Sequence, residues 1–222
     1  MCEQASDRPG LALSGYGNFS APVLKSARKV GLIQAATVKS SISGSVPQTY
    51  VFSPLLEAHD DQLIGTEALH HRKLFVAHIL YGHEKAVSDR GRIYDPTILV
   101  DRLLSRGRVG PASNIASDYH LLEAHGIVAV RRSGNSDRAY LEVIKRDIVE
   151  GGLTWLEQSF GGGPTGKGAD IGQLKPPTAW STPEGDRASL ADEGAAGEIT
   201  NSAILRLREA REEAQRAARF DF

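Results

Sequence analysis

Across residues 113–143 the apolar pattern changes once, at a glycine. Upstream, Ile115, Tyr119, Leu121 and Leu122 recur at the spacing of one helix face, and Ser113 is placed to cap the start of that helix. Gly126 stops it, and Ile127-Val-Ala-Val-Arg-Arg reads at once as a strand. A polar turn, Ser133-Gly-Asn-Ser-Asp137, and a second strand, Arg138-Ala-Tyr-Leu-Glu-Val-Ile, complete a hairpin. A helix that runs into a hairpin with almost no connection restricts this part of the chain to a compact mixed α+β unit.

The flanking segments extend that unit. Gly65 to Val87 carries Leu69, Leu74, Phe75, Ile79 and Leu80 at helical spacing, enough for a core-crossing helix. Asp95-Pro96 supplies an N-cap followed by proline at the first helical position, and Ile98, Leu99, Leu103 and Leu104 continue the helix until Gly107. A turn, Arg108-Val-Gly-Pro-Ala, leads to Ser113. After the hairpin, a helix from about Asp147 to Gln158 brings Ile148, Leu153, Trp155 and Leu156 to the core. The order is helix, helix, turn, helix, hairpin, helix.

That order, with Leu121-Leu-Glu-Ala-His-Gly-Ile-Val128 at the helix–hairpin junction, resembles the winged helix-turn-helix superfamily over roughly Gly65 to Lys145. The resemblance implies duplex DNA as partner and the 113–125 helix as the element entering the major groove. Ser113, Asn114, Ser117 and His120 are hydrogen-bonding types near its start, and Asn can pair bidentately with adenine. Arg108 in the preceding turn and Arg131, Arg132, Asn135 and Arg138 on the hairpin are placed for phosphates or a minor groove. Asp118 and Glu123 depart from a purely basic face.

An earlier segment echoes the same junction. Ser20-Ala-Pro-Val-Leu-Lys-Ser-Ala-Arg-Lys-Val-Gly31-Leu-Ile also ends in Gly plus branched apolar residues, and two strand-like runs, Thr37 to Ser43 and Val46 to Phe52, follow around a Gly44-Ser45 turn. Two tandem winged-helix-like units are therefore expected, with Ser20, Lys25, Arg28 and Lys29 on the first helix and Lys39, Ser41 and Gln48 on its wing facing DNA. Only about twenty residues precede Ala21, too few for two further helices. The first unit borrows its missing core from the Gly65 to Val87 helix, completes it in a dimer, or has lost its start.

The expected organisation is a flexible N-terminus over 1–15, the partial unit over 16–56, the winged helix over 57–160, a disordered linker over 161–199 and a C-terminal helix over 200–222. The linker follows from composition: Gly161, Gly162, Gly163, Pro164, Gly166 and Gly168 open a stretch with few large apolar residues. Thr200 or Asn201 can cap the last helix, whose short stripe of Ile204, Leu205 and Leu207 suits a protein partner. That helix and the Gly65 to Val87 helix are the candidate homodimer interfaces.

The formal charge of −1 would argue against nucleic acid, were it evenly spread. It is not. No acid lies between Phe19 and Leu56, acids exceed bases from Glu57 to Asp101, and eight cations face four acids from Arg102 to Arg146. Basic residues on exposed strands also serve simply as solvated decoration against edge pairing.

Other chemistries find little support. The single cysteine, Cys2, makes neither an internal disulfide nor a cysteine zinc site. Gly161-Gly-Gly-Pro-Thr-Gly166-Lys167 has phosphate-loop spacing, but Gly168 replaces the hydroxyl residue that holds magnesium. Glu67-x-x-His70 has a di-metal bundle's spacing without a second matching pair, and His71 and His78 are two turns apart. No catalytic residue, cofactor or metal is assigned. No apolar run is long enough to span a bilayer and the N-terminus lacks a signal peptide's regions, so the expected location is cytoplasmic, away from membranes. The function expected is non-enzymatic DNA binding, in transcription regulation or plasmid- or phage-type DNA processing. The alternative is a winged-helix protein-interaction subunit such as chromosome-condensing complexes carry.

Overall fold

The computed structural model describes residues 2–39, 46–54, 66–85, 93–134, 137–160 and 179–192. Their architecture is α+β, with two antiparallel sheets. The order is α1 (Cys2–Asp7), β1 (Leu11–Ala12), a 3-10 turn (Leu13–Tyr16), α2 (Ala21–Lys29), β2 (Gln34–Lys39), β3 (Gln48–Phe52) and α3 (Thr66–Lys85). There follow α4 (Pro96–Arg106), β4 (Arg108–Ala112), α5 (Ile115–Asp118), α6 (His120–Ala124), β5 (Val128–Arg132), β6 (Ala139–Val143), α7 (Arg146–Phe160), β7 (Ala179–Ser181) and α8 (Pro183–Asp192). No helix among the described residues is long and apolar enough to cross a membrane.

The central helix α3 is buried without interruption from His71 to Tyr81. Leu69, Leu74, Phe75, Ile79 and Leu80 lie in the core, as their spacing predicts. Burial on every side of this stretch also corrects one expectation: from His71 to Tyr81 the helix is enclosed by the first sheet, α4, α6 and α7 and leaves no free face for a homodimer. Its Lys73, fully buried, donates to Gln34 Oε1 on β2.

The first sheet runs β1-β3-β2-β7. Ala36 pairs with Tyr50 in register, and Ala36, Val38, Tyr50 and Phe52 pack with α3 in the main core. On the other side Val51 joins Ala5, Tyr16, Ala27 and Ile33 beneath α1, the 3-10 turn and α2. The hairpin expected to project as a first wing is thus a sheet covered on both faces, its missing core supplied by α3. A strand with alternating small and branched residues fits an interior as well as a wing, and only the helix from residue 66 onward decides which.

The 161–199 linker also needs correcting. β7 extends the sheet beside β2, with Trp180 opposite Val38 and packed against the main core. Asp186 on α8 takes both Nε and Nη2 of Arg28 on α2, the Nε contact at 2.9 Å. Trp180 and Leu190 are isolated apolar residues in a Pro- and Gly-rich stretch, so composition hides their capacity to dock. The Gly161–Lys167 loop and the expected 200–222 helix lie outside the described residues.

The second sheet, β4-β6-β5, closes the C-terminal half. Asp95 caps α4 as expected: its Oδ1 accepts from the amides of Thr97 at 2.9 Å and Ile98 at 3.1 Å, Pro96 occupies the first turn, and Gly107 ends the helix at φ 71°. Such a cap stabilises by about 1 kcal/mol. α7 lies against α3 and α4, and Phe52 meets Trp155 with ring centroids 5.7 Å apart. Its approach to α3 depends on Gly152, where a Cβ would sit 2.6 Å from the buried ring of Phe75.

The echo between Gly31 and Gly126 has a local cause. In both places a left-handed glycine follows a helix, and two backbone bonds close it: Gly31 to Arg28 and Leu32 to Ala27, Gly126 to Glu123 and Ile127 to Leu122. Both are Schellman caps with an apolar residue immediately beyond. The similarity is one helix-terminating device used twice, and the units around it differ.

Candidate nucleic-acid interface

The β5–β6 hairpin carries the most exposed cations expected to meet DNA. Arg131 sits opposite Tyr140 in register, and the Arg108 guanidinium lies over the same ring, 4.9 Å from its centroid. One face of the second sheet thus presents an aromatic ring flanked by two guanidiniums. Glu142 approaches Arg131 at 3.5 Å, but with the arginine side chain 68% exposed the pair is weak and leaves the cation open to a stronger anion. Arg132 and Arg138 are exposed towards the hairpin tip. Asn135 lies outside the described residues.

The helix expected over 113–125 is two short pieces, α5 and α6, broken at Tyr119. The break has an identifiable partner: His78, buried in α3, stacks at 5.1 Å on Tyr119 and hydrogen-bonds the Asp118 backbone carbonyl. Burial pushes the His78 imidazole down to about 3, so it stays neutral. The expected cap also differs. Asn114 holds the N-cap position without a side-chain cap bond, and Ser113 precedes it, exposed. The Ser117 hydroxyl turns back to the Asn114 carbonyl at 3.2 Å and to Asp118 Oδ1 at 2.6 Å. His120 is exposed beside Glu123, at 3.5 Å. Ser113 and His120 therefore remain available to a partner, while Ser117 is engaged locally and no long recognition helix is formed.

The two acids that depart from a basic face have structural roles. Glu123 Oε1 accepts from the Val130 amide at 3.0 Å, closing part of the outer edge of β5. Asp118 is held by Ser117, and burial raises its carboxyl against the lowering pull of Ser117 and His120.

The residues assigned to a first DNA-contacting unit are not gathered into a comparable surface. Arg28 is turned to Asp186, which removes it from a DNA-facing role. Ser20 is exposed at the start of α2, Lys25 and Lys29 are half-buried, Gln48 is half-buried in the sheet, and Lys39 is exposed at the end of β2 opposite Ala179. Ser41 lies outside the described residues. Basic charge in this part of the sequence suggests an exposed face, whereas α8 packs against α2.

A cavity of about 640 Å³ opens between α4, β4 and the start of α5. Arg102 and Arg106, to which sequence reasoning assigned no role, line it with Arg108 and Asn114. A signal was present: Arg102-x-x-x-Arg106-x-Arg108 has no acid three or four residues from either helical arginine. Among the described residues there is no group of three His, Cys, Asp or Glu side chains suited to a metal ion.

Neither a family model, a curated protein nor a solved structure matches the chain.

Proposed function

We propose that this chain is a DNA-binding protein of winged-helix type whose contact surface is the C-terminal half alone. The observation that carries the reading is the second sheet. A helix, a strand, two short helices and a hairpin follow in order, the first strand pairs with the last, and Arg131, Arg132 and Arg138 stand exposed on the hairpin. This is the placement a winged helix gives to wing cations that meet phosphate. Because α5 and α6 are short, the hairpin and the ends of those helices make the contact, which favours backbone and groove-shape readout over a long row of base contacts. The first sheet and α8 act as scaffold.

Anisotropy titration of the full chain against random duplex DNA at two salt concentrations tests this. Arg131→Ala with Arg132→Ala should weaken binding and make the salt slope shallower by about 0.9 for each phosphate no longer neutralised. Unchanged binding at both salts overturns the wing assignment. Absence of any duplex binding would favour protein docking through the same fold.

A further inference from the structure

The cavity between α4 and β4 combines two features that a DNA-contacting hairpin does not require. The first is convergent positive charge. Arg102 and Arg106 sit one turn apart on α4 and Arg108 follows on β4, so three exposed arginines line one half-open cavity, with the Arg108 guanidinium over the Tyr140 ring at its border. Like charges at this spacing repel, and among the described residues neither Arg102 nor Arg106 has an acidic side-chain partner. The one carboxylate in the lining, Asp95, is held by the Thr97 hydroxyl at 2.6 Å and by the α4 amides, which keep it ionised at the helix start. The second feature is an apolar wall. Tyr94 and Ile98 line the same space and are 63% and 49% exposed, more than large apolar side chains need be beside a packed core.

We propose that this cavity binds a free nucleoside polyphosphate, with the phosphates on Arg102, Arg106 and Arg108 and the base against Tyr94 and Ile98. Planar guanidiniums match phosphate oxygens in pairs, which a lone lysine cannot do. An aromatic and a branched apolar wall offer a base its stacking face. The volume falls within the roughly 300–1,000 Å³ of small-molecule sites, and a half-open cavity of this size seats a small ligand rather than tracking a duplex. Asn114 lies in the lining at the entry to α5, so occupancy reaches the segment that carries Ser113 and His120. The nucleotide site rests on this cavity and does not depend on DNA binding by the hairpin.

Titration calorimetry of the full chain at physiological salt, with ATP, GTP, tripolyphosphate and adenosine as separate probes, tests it. ATP or GTP should bind saturably at one site, tripolyphosphate more weakly and adenosine not measurably. Arg102→Gln with Arg106→Gln, both exposed, should lower nucleotide affinity at least tenfold while leaving the thermal melt in place. Tyr94→Ala should lower nucleotide affinity several-fold and leave tripolyphosphate unchanged. Absence of saturable heat with ATP and GTP up to millimolar concentration overturns the site, as does unchanged affinity in the double arginine variant. A 5′-phosphorylated oligothymidine that displaces bound ATP, and loses affinity with it in the double arginine variant, overturns the free-nucleotide assignment.

Discussion

Glu123 offers a test in which a charge argument and a structural argument disagree in sign. Considered only as an acid beside a basic hairpin, it should oppose DNA, and any substitution that removes the charge should tighten binding. In the structure it also closes a strand edge, because its Oε1 accepts the Val130 amide at 3.0 Å, and Val130 leads directly to Arg131 and Arg132. A hydrogen bond to a charged acceptor contributes about 1.5–3 kcal/mol when buried. The Glu123 side chain is 40% exposed, so water replaces much of this and about 1 kcal/mol remains. Glu123→Gln keeps an oxygen at that position and removes the charge, whereas Glu123→Ala removes both. Amide exchange at Val130 should accelerate about fivefold in Glu123→Ala, the factor that 1 kcal/mol represents, and little in Glu123→Gln. In DNA titrations Glu123→Gln should bind more tightly than the parent chain, and Glu123→Ala should fall below Glu123→Gln because its wing is less ordered. Equal exchange and equal affinity in the two variants would refute the edge-closing role.

Two further outcomes concern the core. In an exposed helix Gly→Ala stabilises by about 1 kcal/mol, but Gly152→Ala places a methyl 2.6 Å from fully buried Phe75; overpacking of about 1–3 kcal/mol outweighs the gain, and urea unfolding should show a lower midpoint, a higher one refuting the close approach of α3 and α7. His78 is held neutral, its imidazole lowered to about 3 from 6.5 by burial, so the unfolded chain binds more protons between those values. Stability should therefore fall as pH drops below about 6.5, by up to about 1.4 kcal/mol per unit. His71, lowered by burial and by Lys145, adds in the same direction. Denaturant midpoints from pH 7 to 4.5 should decline less steeply in His78→Leu, and an unchanged slope would sink the assignment.

Local signals in the chain are legible where the chemistry itself is local. Asp95-Pro96 and Gly107 set both ends of α4 through a side-chain cap, a preset φ and a left-handed glycine, none of which needs a distant partner. The Gly126 junction and the hairpin after it follow from the same kind of cause. The first hairpin does not yield to this reasoning. Its residues suit a wing or an interior strand equally, and only α3 on one face and Tyr16, Ala27 and Ile33 on the other make it interior. At the candidate site the wing arginines are legible as a local excess of cations over acids. Arg102 and Arg106 are legible as helical arginines without an acid three or four residues away, but no local pattern says that β4 will stand opposite them and form a cavity.

Helix ends, strand–turn–strand order and the distribution of charge were thus determined by the sequence alone, since each rests on interactions within a few residues. Tertiary structure decided which surfaces remained surfaces. Arg28 lost its place on a basic face to Asp186, 158 residues away, and the 113–125 helix broke where His78 reaches the Asp118 carbonyl. Burial and pairing across such separations depend on where whole elements pack, a property that neither composition nor periodicity encodes.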